Sequence, residues 1–272
     1  MKGPQTLLDY EDHWVTDMGA WFPGERVVFR GQDLLHELKD TSWMGLLVYG
    51  VTGRMPDDKL VKLLEGISVL STSYPEPRLW NNRIAALAGT TRSTTALGIG
   101  AAIAVSDAVA YGNRVGIRIL DFFRRIKENV DNGVDLTELV KAEMKQYRGI
   151  SGYGRPIVGQ DERLEPLMSL ARELGFAEGP YLKLAFAIEE ILLKERWDMY
   201  MNVGSMAIAI IADQGFSPRE SYQIGILCFV AGMLPCYLDA YTKPEGSFFP
   251  LRCDRIQYVG KKSRRVWDSG DL

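Results

Sequence analysis

The stretch Arg148-Gly149-Ile150-Ser151-Gly152-Tyr153-Gly154-Arg155-Pro156-Ile157-Val158, followed shortly by Asp161-Glu162-Arg163, decides how this chain is to be read. Its glycines, Gly149, Gly152 and Gly154, interrupt a helix and let the backbone approach a neighbour closely at φ values other residues avoid. Arg155 can donate hydrogen bonds and hold a carboxylate through the planar pair of donors of its guanidinium. On the residues alone the loop reads as a plain helix-breaking turn whose glycines permit a close backbone approach.

Helical signals dominate on both sides of the loop. Residues 41–52 carry apolar side chains at helical spacing and stop near Gly53. Pro56-Asp57-Asp58 opens a helix over 57–70, with proline early and acids in the first turn. Tyr74-Pro75-Glu76-Pro77 breaks the chain, because prolines at this spacing exclude a helix interior. Helices are expected over 81–88, 94–110, 115–130 and 135–146, then over 161–174, 181–195 and 205–212 beyond the loop. Ser217-Pro218-Arg219-Glu220 supplies a cap, a proline at the first helical position and an acid, and starts a helix over 219–241. Strand signals are confined to about 26–30 and 255–259. The fold class is all-α, with minor β pieces near both ends.

Composition narrows the functional classes. At 272 residues, 46% hydrophobic and 25% charged, the chain can bury a substantial core and reads as neither disordered nor membrane-bound. A net charge of -3 and a pI near 5.6 give no reason to expect nucleic acid. Cys228, Cys236 and Cys253 are too few for a disulfide framework and suit a reducing compartment. No basic, then apolar, leader is visible, so the cytoplasm is expected. The apolar run 94–110 is broken by Gly98, Gly100, Ser106 and Asp107 and falls short of the ~20 residues that span a bilayer. It reads as a buried helix whose small residues admit a close neighbour.

Several segments together resemble the citrate synthase family over about residues 25–262. The loop is similar to that family's P-G-(F/Y)-G-H-x-V followed by D-P-R. Phe29–Asp33 resembles its Y-R-G-Y-D, and residues 43–56 resemble its helix ending in L-L-x-G-x-L-P. Residues 111–116 resemble its G-P-x-H-G-G turn, Asn202-Val203-Gly204 its N-V-D, and 252–260 its R-P-R-x-x-Y-V-G. The resemblance implies a multi-helical fold with a large domain (about 25–145 and 205–262) and a small one (about 146–204). An N-terminal segment, 1–24, and a tail, 263–272, lie outside them.

The resemblance also implies what is missing. An Asp base and two His donors would fall at Gly204, Val115 and Arg155, and the chain's only histidines are His13 and His36. Glycine and valine can neither take a proton nor polarise a thioester, and arginine keeps its proton near neutrality. A substrate-binding arginine of the family falls at Arg163. Two others fall at Phe229 and Cys253, with Arg252 and Arg255 beside the latter. Gly152, Tyr153 and Gly154 fall where the family wraps coenzyme A (CoA). Lys261, Lys262, Arg264 and Arg265 either attract its phosphates or form a solvated basic tail.

Outside those positions, Trp80-Asn81-Asn82-Arg83 opens a helix. It offers either amide and guanidinium donors to a carboxylate or an N-cap at Asn81 or Asn82 with Trp80 packing beside it. The cysteines read as buried and structural, with no spacing suited to a metal. Glu189 and Glu190 offer either a base or, as is usual for such a pair, a solvated helix face with one tertiary ion pair. The expected protein is an acyl-CoA-utilising enzyme with a rewritten site, forming or cleaving a carbon–carbon bond or otherwise transforming an acyl thioester. Arg155, Arg163, Asn81, Asn82, Arg83 and Arg255 are its candidate substrate-binding residues. The alternative is an inactive homologue that binds a metabolite and regulates a partner. A homodimer through the middle helices is implied by the resemblance.

Overall fold

This computed structural model describes residues 3–155, 159–247, 251–257 and 259–260. A short helix, α1 (Pro4–Tyr10), precedes an antiparallel sheet of β1 (Gly19–Phe22), β2 (Arg26–Phe29) and β3 (Gln32–Asp33) in that spatial order. Gly19 faces Phe29 across the first pair and Val28 faces Asp33 across the second. Helices then follow one another: α2 (Trp43–Thr52), α3 (Asp58–Ser71), α4 (Trp80–Thr90), α5 (Thr95–Ser106), α6 (Arg114–Asp131) and α7 (Leu136–Tyr147). Past the glycine loop come α8 (Leu164–Leu174), α9 (Pro180–Lys194), α10 (Val203–Asp213), α11 (Pro218–Gly225) and α12 (Val230–Tyr241).

Side-chain caps set many of these boundaries, since the first N–H groups of a helix have no partner within it. Ser42, Asp57, Thr94 and Asp135 each accept from a backbone N–H three residues on. Ser217 and Glu220 form a reciprocal capping box. The first turn of α9 is capped from another helix, with the Asp213 carboxylate accepting from the Tyr181 and Leu182 N–H groups at 2.8 and 3.1 Å.

Three expectations are corrected. The helix expected over 94–110 ends at Ser106, and the chain turns back so that Asn113 N–H donates to Ser106 O at 2.8 Å. The single helix expected over 219–241 is divided by a 3-10 turn, Ile226–Phe229. The strand expected at 255–259 is replaced by a 3-10 turn, Cys253–Arg255, and an irregular run; Tyr258 lies outside the described residues.

The principal core gathers α3 and α6–α10 around Leu63, Phe123, Leu167, Ile188 and Ile210, all fully or almost fully buried. Burying each such side chain contributes about 1.5–3 kcal/mol. Residues 146–204 share this core with α6 and have their apolar side chains in the same cluster. A second, smaller core joins α4, α5 and α12 through Ala85, Ala102, Met233 and Tyr237. Residues Pro218–Tyr241 are long and apolar enough, with mean hydropathy 1.6, to cross a membrane. Met233, Cys236, Tyr237 and Ala240 of this stretch are buried against α4 and α5, as in a core helix.

Candidate functional site

Helix α7 ends with Arg148 in the left-handed region, φ 57°, and releases the glycine loop. The loop is fastened to the segment before α10. Tyr153 pairs with Met201 in an isolated antiparallel bridge, Asn202 N–H donates to Gly152 O at 2.9 Å, and Gly154 N–H donates to Tyr200 O at 2.6 Å. Gly152 has φ +93°, and a Cβ there would lie 2.9 Å from Ser205 Cβ, so only glycine fits. Tyr153 turns its ring into the core rather than toward the loop's open side. It is buried, its hydroxyl donates to Ala185 O at 2.8 Å, and burial raises the phenol's pKa. The backbone at Gly154 remains partly accessible.

The turn after the loop places four charges together. Asp161, buried, accepts from Arg163 Nε and a terminal Arg163 nitrogen at 2.8 Å each and from Val203 N–H at 2.9 Å. Burial alone would raise its carboxyl pKa; these hydrogen bonds overcome that and hold it below the ordinary value. Arg155 donates to Glu162 at 2.5 Å and to Gln160 O at 3.1 Å, while the Tyr74 hydroxyl reaches the other Glu162 oxygen at 2.6 Å. The Arg155 contact, with Tyr74 second, holds Glu162 down at about 2. The Arg163 guanidinium lies 5.6 Å from the Tyr74 ring centroid. Both expected substrate arginines are thus present side by side, each already holding a carboxylate of its own chain.

Asn81 and Asn82 correct another expectation. Both are buried, and neither caps α4, whose N-cap position is Leu79 with no side-chain cap. The Asn81 amide donates to Ser73 Oγ and Ser106 Oγ at 3.2 and 3.1 Å. The Asn82 amide donates to Tyr74 O and Glu76 O. These two residues therefore hold the proline-broken segment that presents Tyr74. Arg83 donates to Pro77 O at 3.1 Å and braces the same segment from the solvent side. Arg255 lies exposed in the 3-10 turn, its backbone N–H donating to Arg252 O. Lys261, Lys262, Arg264 and Arg265 lie outside the described residues, as does the side chain of Cys253.

A cavity of about 150 Å³ lies among α3, α6, α10 and α11. Its wall includes Val115, Gly204 and Phe229, three of the five positions at which the resemblance places family His, Asp or Arg residues that this chain lacks. Arg155, the fourth, is not on that wall, and the side chain of Cys253, the fifth, lies outside the described residues. The wall is mainly apolar and carries no charged side chain. Its one thiol, Cys228, has its pKa raised by burial and donates to Ser68 Oγ at 3.2 Å, so it is no ready nucleophile. Cys236, on α12 rather than on one helix with Cys228, is pushed up to about 11, burial being the main cause. Glu189, read as a base or a solvated face, instead accepts from Met201 N–H at 2.7 Å. Among the described residues, no three His, Cys, Asp or Glu side chains converge as a metal site.

Ile119 joins cavity and loop. A Cβ on Gly152 would lie 3.2 Å from Ile119 Cδ1, and Ile119 itself lines the cavity. Sequence reasoning passed over Tyr74, Asp161 and Glu162 as site residues. A tyrosine held between prolines, and acids between two arginines, were the available signals.

The sequence matches no protein-family model and no curated protein. Solved structures do match. The chain is similar to citryl-CoA lyase from Hydrogenobacter thermophilus, with 21% identity, a TM-score of 0.80, and coverage of 93% of this chain and 97% of that one. It is similar to ATP citrate lyase from Methanothrix soehngenii at 17% identity and a TM-score of 0.73, covering 96% of this chain but 44% of that one. Citrate synthase from Thermotoga maritima MSB8 matches at 18% identity and a TM-score of 0.65, with 84% of this chain and 60% of that one covered. The fold is citrate-synthase-like.

Proposed function

We propose that this chain is an acyl-CoA-utilising enzyme with a rewritten active site, which forms or cleaves a carbon–carbon bond or otherwise transforms an acyl thioester. The observation that carries this reading is the match to a citryl-CoA lyase across nearly the whole of both chains. A solved ATP citrate lyase of the same fold holds citrate and coenzyme A. The glycine loop supports a CoA role: Gly152 and Gly154 both have positive φ, and the backbone at Gly154 is partly open. Arg155 and Arg163 support a carboxylate role. Glu162, exposed and held by Arg155 and Tyr74, occupies the position a ligand carboxylate would take by exchange.

The second reading, a metabolite-binding regulator without catalysis, is favoured by one observation. Val115, Gly204 and Phe229 face a shared cavity whose wall supplies no carboxylate or imidazole. Proton abstraction beside a thioester needs a base and a donor for the developing oxyanion, and losing one donor costs about 10²–10³ in rate. Acetyl-CoA and oxaloacetate should therefore give no citrate above the uncatalysed background. Turnover at an ordinary enzymatic rate would return a base and donor to positions other than these. Melting of the full chain with CoA, acetyl-CoA, citryl-CoA and a panel of di- and tricarboxylates separates the readings, since a ligand of the native state raises stability with concentration over affinity. Shifts by CoA species together with consumption of a CoA ester support the enzyme. Carboxylate shifts without CoA support the regulator, and no shift at all overturns both.

A further inference from the structure

We propose that the cavity among α3, α6, α10 and α11 receives the acyl part of the thioester, and that this acyl group is apolar, with about four to six carbons. The proposal rests on the thioester reading above and adds the chemistry of its substrate. Leu64, Ile67, Val115, Ile208, Phe216 and Phe229 line the cavity, and no charged residue does. Burying a carboxylate against such a wall would strand its charge, so a di- or tricarboxylate is excluded from it. Neither Arg155 nor Arg163 is on that wall, so a carboxylate held by them would lie outside the cavity.

Polar groups on the wall are mostly spent as well. The Asn113 amide donates to Tyr222 O at 2.7 Å, and Ser68 Oγ donates to Leu64 O at 2.7 Å. An enclosed apolar cavity of about 150 Å³ accepts a guest the size of benzene, roughly six heavy atoms, and that sets the scale of the group this partly open, mainly apolar one can take. Small residues keep that space open. A Cβ on Gly116 would lie 3.3 Å from Ile208 Cδ1, and Gly204 and Ala207 add little or nothing to the wall.

Titration calorimetry of the full chain with free CoA, acetyl-CoA, butyryl-CoA, hexanoyl-CoA and succinyl-CoA tests this. Affinity should rise about fourfold for each methylene buried between acetyl and hexanoyl. Succinyl-CoA, which carries a terminal carboxylate on a four-carbon chain, should bind at least about tenfold more weakly than butyryl-CoA. Ala207→Leu, which fills the cavity, should flatten the series; if that variant does not fold, the unaltered chain still decides. A flat series, or succinyl-CoA binding as tightly as butyryl-CoA, overturns the inference and leaves a packing void only, with the thioester reading intact. Failure of every CoA species to bind overturns the thioester reading instead. Saturating benzene then settles the cavity: a raised melting temperature keeps its apolar specificity, and no change ends it.

Discussion

Asp161 carries more of the candidate site than either arginine beside it. Its carboxylate accepts two bonds from the Arg163 side chain and one from Val203 N–H, so it joins the turn to the start of α10. Asp161→Asn keeps the shape but removes the charge, leaving Arg163 without its partner. We expect a loss of about 2–4 kcal/mol in chemical denaturation, toward the lower end because Arg163 retains some access to water. An unchanged midpoint would make the pair ornamental. Glu162 behaves differently, being exposed. Its folded value, about 2, lies below the ordinary 4.5, so the stabilisation it brings is present above pH 4.5 and is lost as pH falls through about 2. Carboxyl NMR titration should find that low midpoint, and Arg155→Ala should move it back toward 4.5. A wild-type midpoint at 4.5 would dissolve the contact. Arg155 and Arg163 were legible in the sequence as carboxylate holders. Their partners Asp161 and Glu162 lie close by in sequence, but the third member of the cluster was not legible, because Tyr74 reaches Glu162 from 88 residues away and short-range spacing carries no trace of such a contact.

At the scale of elements, the sequence announced what local chemistry controls. Ser217 with Glu220 caps where those residue types suggested, Asp57 and Asp135 cap at the starts of helices the periodicity marked, and Gly53 and Gly175 close α2 and α8 in the left-handed region. Elements fixed by tertiary contact were misread. Asn81 and Asn82 looked like cap or ligand residues, and burial against the 73–77 segment and the end of α5 turned their amides inward. The apparent single helix over 219–241 had no breaker strong enough to reveal its 3-10 turn; Pro235 sits inside α12 without ending it. Helix α4 approaches α12 so closely that a Cβ on Gly89 would lie 2.3 Å from Tyr237 O. Gly89→Ala should therefore destabilise the chain by about 1–3 kcal/mol through overpacking, although alanine is the better helix former. Calorimetric melting checks this, and a stabilised variant would show that α4 and α12 can separate freely.

At the scale of the whole molecule, helix α5 turns an outward face of small and apolar side chains to the surface. Helix α5 buries Gly98, Ala102 and Ser106 against α4 and α12, while Ala96, Leu97, Gly100, Ala101 and Ala104 face outward. Leu234 and Leu238 on α12 are exposed as well. The run 94–110 was read as a helix with small residues on several faces, and its composition could not say which face the chain itself would cover. Small residues let two helix backbones approach closely, and a two-fold axis needs such a self-complementary face. We therefore infer a homodimer through α5. Light scattering at micromolar concentration should give twice 30.5 kDa. Gly100→Arg is the sharper probe, because a Cβ there meets nothing within 4 Å and the monomer can carry the new side chain in solvent. At an α5 interface the same arginine would meet its own copy across the axis, adding bulk and like charge. The variant should keep its helical circular dichroism and run as a monomer, with Ala104→Arg doing the same. A wild-type monomer near 30.5 kDa, or a Gly100→Arg dimer as tight as the parent, would remove α5 as the interface.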